Sequence, residues 1–146
     1  MNTFLPYPDF AKSAKCLDNK RLGKQRVEAW QIYLALTIPE YGWKHHPAVK
    51  MWRGYELTLL QYGLCITTEW QNRGFKDSLR DKFIQEMSRS NLGQYKIPSW
   101  LGNKKFHSAM RSNLLRKDYE HYRKFHWKES PNIPYLWPEE RKVKYA

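Results

Sequence analysis

The stretch "PAVKMWRGYELTLLQYGLCITTEWQN", residues 47–72, decides the fold class. Trp52, Tyr55, Leu59, Tyr62, Ile66 and Trp70 recur every three or four residues, the spacing of one face of an α-helix. Pro47 suits the first helical position, where its missing N–H would have had no partner, and Gly74 supplies the stop. The spacing predicts one long central helix over 47–72, weakened locally by Gly54 and Gly63.

Upstream, Asp9 is placed to cap a short helix running to about Leu17, and Asp18 to cap a second running to about Thr37, ended by Pro39. Val27, Trp30 and Leu34 form its expected inward stripe. Downstream, Leu79, Phe83, Ile84 and Met87 mark another amphipathic helix, bounded by Asn91 and Gly93. Asn103 is a cap for a last long helix carrying Phe106, Met110, Leu114, Tyr119 and Tyr122. After it, "ESPNIPYLWPEE" holds too many prolines for a helix. No segment shows the period of two that a strand needs. The expected architecture is therefore all-α: one compact domain over residues 1–146, about four to five helices with an extended, aromatic, proline-rich C-terminal tail.

Charge narrows the function. Lys and Arg outnumber Asp and Glu by 26 to 14, a formal net charge of +12, which favours nucleic acid as partner over an anionic membrane surface. Aromatic residues make up 16% of the chain, so it can bury a core and is no basic disordered tail. With no apolar run near the ~20 residues of a membrane span and no secretory segment in "MNTFLPYPDF", a soluble, intracellular and cytoplasmic location is expected. Cys16 and Cys65 stand alone and the five His lack ligand spacing with them, so no metal site and no cofactor are expected.

The cations are clustered. "DNKRLGKQRVEAW", residues 18–30, carries Lys20, Arg21, Lys24 and Arg26, and on a helix Arg21, Gln25 and Glu28 share a face at i, i+4 and i+7. A second cationic helix start, "NKKFHSAMR", offers Lys104, Lys105, His107 and Arg111 to phosphates. Trp43, Trp52, Tyr55 and Trp100 are candidates to stack on or wedge beside an opened base step. Glu28 is the one carboxylate in the middle of its basic run, open to two roles: pairing with the neighbouring cations, or steadying a cationic sugar centre and moving protons beside it. His46, in the "HH" pair before the central helix, is open either to a structural role as cap or packed ring or to a catalytic one.

"TFLPYPDFA", "LDNKRLGKQRVEA", "GWKHHPAVKMWRGYE" and "EWQNRGF" resemble the bacterial and viral branch of the pyrimidine-dimer DNA glycosylase family. The resemblance implies a monomeric helical enzyme that kinks damaged double-stranded DNA, excises a pyrimidine and nicks the strand by β-elimination without a metal. It implies an N-terminal α-amine as nucleophile, forming a Schiff base with the deoxyribose C1′, and a Glu in the basic helix that assists. Carried onto this chain, the catalytic set is Asn2, Arg21, Gln25, Glu28 and His46, and the nucleic-acid-binding set Lys20, Lys24, Arg26, Trp52, Lys104, Lys105, His107 and Arg111.

The chain departs from the family's phage member in two places. Asn2 stands where that enzyme has a small residue exposed by removal of its initiator Met, which leaves the reactive amine open to Met1, to Asn2 after processing, or to neither; a gap-free alignment of the "RV" pairs puts Gly23 opposite its catalytic Glu, with Glu28 the nearest carboxylate after it and Asp18 the nearest before it. Two other readings remain: a non-catalytic helical nucleic-acid-binding module, and a glycosylase for another modified base.

Overall fold

A computed structural model of the protein describes residues 1–89 and 92–138, and the regular structure of these residues is all helical. Among them seven α-helices follow in order: α1 (Phe10–Cys16), α2 (Asn19–Thr37), α3 (Pro47–Lys50), α4 (Glu56–Asn72), α5 (Leu79–Met87), α6 (Lys104–Lys117) and α7 (Tyr119–Tyr122), then a 3₁₀ turn over Arg123–Phe125. Seven stand where about four to five were expected, because two of the predicted helices break. Gly54 takes φ +85°, out of the helical region, and splits the 47–72 stretch into α3 and α4. Asp118, extended at φ −154° and ψ 78°, separates α6 from α7, and its carboxylate accepts from the His121 N–H to start the new helix. Asp9 and Asn103 cap as expected, accepting from Lys12 and Phe106 N–H. The predicted bound at Asn91 lies outside the described residues, as do Glu139 and Glu140 of the tail.

α4 is the central element, packed on α1, α2 and α5, with Leu59, Leu60, Tyr62 and Ile66 fully buried. Its contact with α5 is close. An ideal Cβ on Gly63 would fall 2.3 Å from the buried Phe83 ring, so the glycine lets the two helices meet.

The inward face of α2 differs from the expected one. Val27 is 43% exposed and Trp30 and Leu34 are half-buried, while Leu22, Gln25, Ala29, Ile32 and Tyr33 are buried. A polar residue, Gln25, occupies the inner face because it binds the backbone of the N-terminal segment. Tyr119, expected inside, is 57% exposed on the short α7.

The tail folds back along α6. Glu129 accepts from Arg111 and Ser108, Ser112 Oγ donates to the Ser130 carbonyl and accepts from the Ile133 N–H, and Arg116 donates to the Pro131 carbonyl. Trp127 stacks on Tyr122 with centroids 5.7 Å apart and donates its Nε1–H to the Tyr7 hydroxyl.

Candidate active site

Residues 2–5 form no helix, yet Asn2, Thr3, Phe4 and Leu5 are all buried. Such a segment must find partners for its backbone groups in side chains. Three helices supply them, and Trp52 adds a bond to the Thr3 side chain. Gln25 of α2 donates to the Asn2 carbonyl at 3.0 Å and accepts from the Phe4 N–H at 2.8 Å. Tyr62 of α4 shares its one hydroxyl proton between the Phe4 carbonyl at 3.0 Å and Gln25 Oε1 at 2.6 Å, Trp52 donates its Nε1–H to Thr3 Oγ1, and His107 of α6 bonds the Leu5 carbonyl at 2.8 Å. Burial raises the Tyr62 pKa well above the ordinary phenol value, with the Glu28 charge adding to it, so the phenol stays a neutral donor.

This segment delivers its first residues to Glu28. The Asn2 backbone N–H donates to Glu28 Oε2 at 3.2 Å, and Gln25 Nε2 donates to the same oxygen at 2.9 Å. Around them opens a cavity of about 470 Å³ lined by Met1, Asn2, Phe4, Lys20, Arg21, Lys24, Glu28, His46, Lys117, Tyr135 and Trp137. Its wall is a carboxylate and an amine end, its rim is cationic, and one side is aromatic. Such a cation-rimmed space suits an anionic ligand.

Arg21 is aimed rather than loose. Asp18 accepts from its Nη1 at 3.1 Å and the Lys117 carbonyl from its Nη2 at 3.4 Å. Asp18 makes no cap bond to α2; its carboxylate instead accepts from the buried Tyr122 hydroxyl, which in turn accepts from the Asp18 N–H. Burial alone would raise the Asp18 pKa, but the Tyr122 hydrogen bond and the Arg21 charge hold it below the usual carboxylate value. Lys20 and Lys24 are exposed beside Arg21.

His46 caps α3, its Nδ1 accepting from the Ala48 N–H at 3.0 Å. The structural role and the cavity position thus belong to the same ring. Burial lowers its pKa below the ordinary histidine value, the positive amine terminus reinforces this, and Glu28 opposes it. In the neutral ring the remaining proton sits on Nε2, which makes that nitrogen a donor. Trp43 and Trp137 meet the ring edge-on at centroid distances of 6.1 and 5.9 Å.

Other expected site residues lie elsewhere. Trp52 is fully buried and Tyr55 and Trp100 are 6% exposed, so these rings hold the core together and present no face to a base. His107 is corrected likewise: at 3% exposure it accepts from the Gly102 N–H at Nε2, which leaves the Nδ1 proton for Leu5. Arg26 pairs with the buried carboxylate of Asp77 and lies 4.5 Å over the Trp70 ring, and it does not line the cavity. Arg111 is committed to Glu129 and the Pro6 carbonyl. Lys104 and Lys105 are exposed beside a separate groove, and Tyr135 lines both that groove and the cavity.

Gly23 explains one departure. A Cβ there would fall 2.9 Å from the Trp70 ring, so a side chain at 23 would run into α4 rather than reach the cavity. The carboxylate that does reach it is Glu28. Sequence reasoning missed Lys117, Tyr135 and Trp137 at the site. The alternating aromatics of "YLW" at 135–137 were the available signal, for in an extended tail they fall on one side, and the rings do stack at 5.7 Å and 12°.

Among the described residues no group of three or more His, Cys, Asp and Glu is gathered to hold a metal ion, and no helix is long and apolar enough to cross a membrane. No curated protein and no solved structure matches the chain. The family model of pyrimidine dimer DNA glycosylases matches residues 1–83, the segment that supplies the amine end, Glu28, His46 and the cations of α2. The fold, the site and this match agree, and the chain belongs to the pyrimidine dimer DNA glycosylase family.

Proposed function

We propose that this DNA repair glycosylase excises a damaged pyrimidine, pyrimidine dimers first, and nicks the strand at the same sugar through an amine Schiff base. The observation that carries this is the 3.2 Å hydrogen bond from the Asn2 nitrogen to Glu28 inside a cation-rimmed cavity. Removal of Met1 would turn that nitrogen into an α-amine already beside its carboxylate. An α-amine has a reference pKa of about 7.7–8.0 against about 10.4 for lysine, so a useful fraction is neutral at pH 7.

In this reading the amine lone pair attacks C1′, the bond from C1′ to the base breaks, and Glu28 takes the proton shed by the nitrogen. Glu28 returns that proton to O4′ as the C1′–O4′ bond breaks and the ring opens to the iminium. The regenerated carboxylate then takes a C2′ proton, the C–H electron pair forms the C2′=C3′ bond and expels the 3′ phosphate, and water adds to C1′ to release the amine. Lys20, Arg21 and Lys24 neutralise the flanking phosphates, and His46 donates Nε2–H to an oxygen of the departing base or the sugar. Gln25 positions both partners. In this reading one single-domain chain acts as a monomer, and none of these steps uses a metal or cofactor.

Incubating the protein with ultraviolet-damaged, abasic and intact duplexes under borohydride tests the reading. The expected result is a trapped adduct on the first two, with its mass on Asn2. An adduct on Met1 would move the nucleophile by one residue. Tight binding with neither adduct nor cleavage would overturn the reading in favour of a non-catalytic module.

A further inference from the structure

Trp43 is 62% exposed at the tip of the connection between α2 and α3, and its backbone sits at φ +71°, a left-handed conformation that a bulky side chain rarely adopts. Gly42 stands next to it and would have taken that conformation freely. The chain nonetheless gives the strained position to the tryptophan. A turn that needed only to reverse direction would place the glycine there; this one spends strain to set an indole outward.

The tip is also held. The His46 N–H donates to the Trp43 carbonyl at 2.8 Å, Lys44 Nζ reaches the Pro39 carbonyl and Arg53 Nη2 the Lys44 carbonyl, both at 3.3 Å. The indole meets the His46 ring edge-on at 6.1 Å, and His46 lines the cavity, so Trp43 stands one ring beyond it. Lys44 and His45 are exposed next to it in sequence, offering donors to phosphate. An exposed aromatic face, carried on a hydrogen-bonded turn and set beside an exposed lysine at the edge of the cavity of about 470 Å³, matches an unstacked nucleobase.

We propose that Trp43 is the wedge of this enzyme: it enters the base stack of the duplex beside the lesion and stacks on the base there, holding the step open while the damaged nucleotide occupies the cavity. The inference rests on the proposed glycosylase activity. A wedge acts on stacked, paired DNA alone, which separates it from a residue that supports the fold or adds general affinity.

The test compares wild type with Trp43→Gly, which fits the left-handed backbone, and Trp43→Phe, which keeps a stacking face. Each is given a pyrimidine-dimer oligonucleotide as duplex and as single strand, with 2-aminopurine opposite the lesion in the duplex to report unstacking. Trp43→Gly is expected to keep the wild-type Tm or exceed it, to lose at least tenfold in duplex affinity and in the fluorescence rise, and to stay within twofold on the single strand. Trp43→Phe is expected to recover most of both duplex signals. Equal loss on the two substrates, or no loss on duplex, overturns the wedge while leaving the enzyme reading intact. Wild-type inactivity on both substrates overturns the enzyme reading and the wedge with it.

Discussion

Gln25 and Glu28, one turn apart on α2, are joined by a 2.9 Å hydrogen bond from the Gln25 amide to Glu28 Oε2, and the same amide nitrogen holds the Asn2 carbonyl. The other end of Gln25 accepts from Phe4 N–H and the Tyr62 hydroxyl. At 1% exposure this amide is fully engaged. Gln25→Leu strands the Asn2 carbonyl and the Phe4 N–H, while Glu28 and Tyr62 keep other partners, and each buried orphan costs about 1–3 kcal/mol. The expected outcome is a loss of about 2–4 kcal/mol in urea denaturation, as for one or two such orphans, with slower borohydride trapping in protein that remains folded.

Glu28→Gln separates proton transfer from structure. The amide oxygen can still accept from the Asn2 N–H, so stability is expected to change by less than about 1 kcal/mol. Removal of a general base costs about 10²–10⁴-fold in rate. Single-turnover nicking of a dimer-containing duplex measures the loss; a rate within threefold of wild type would remove Glu28 from the chemistry.

Lys24→Gln is expected to weaken binding to damaged and intact duplex alike. The slope of log K against log salt should fall by about one for each phosphate that is no longer neutralised. Lys50→Gln, away from the cavity lining, serves as the comparison. Titration at several salt concentrations reads both.

Gly63→Ala is expected to destabilise by about 1–3 kcal/mol or more through overpacking, because the added methyl meets the Phe83 ring at 2.3 Å. Gly42→Ala, with nothing within 4 Å of its new Cβ, should change stability little. Thermal melts of the two variants make the comparison.

Asp18 sets an acid limit. Its folded pKa is depressed, so its contribution is fully present above its unfolded value of about 3.8 and fades as pH falls through the lower folded value. Tyr122→Phe removes the hydrogen bond that Asp18 accepts and should cost about 1–3 kcal/mol at pH 7. The gap from wild type should narrow below pH ~4, where the unfolded carboxyl takes up its proton. Urea denaturation across that range checks the sign.

Periodicity was legible where burial alone decided the outcome. Leu59, Tyr62 and Ile66 of α4 and Phe106, Met110 and Leu114 of α6 are buried as their spacing predicts. It misled where a polar partner competed. α2 turns Gln25 inward and leaves Val27 outside because the N-terminal segment needs the amide more than the core needs one valine. The site was legible as residue types, with Asn2, Arg21, Gln25, Glu28 and His46 gathered in one place. What spacing could not carry was the commitment of Arg26 to Asp77 and of Arg111 to Glu129, since those partners lie 51 and 18 residues away along the chain.

Most chain ends fray, and their amide protons exchange with solvent almost freely. Here the Phe4 amide is sealed by Gln25, and the next carbonyls are gripped from α4 and α6. Releasing this end breaks hydrogen bonds to α2, α4 and α6 at once, so the Phe4 amide proton is expected to exchange far more slowly than that of a frayed terminus.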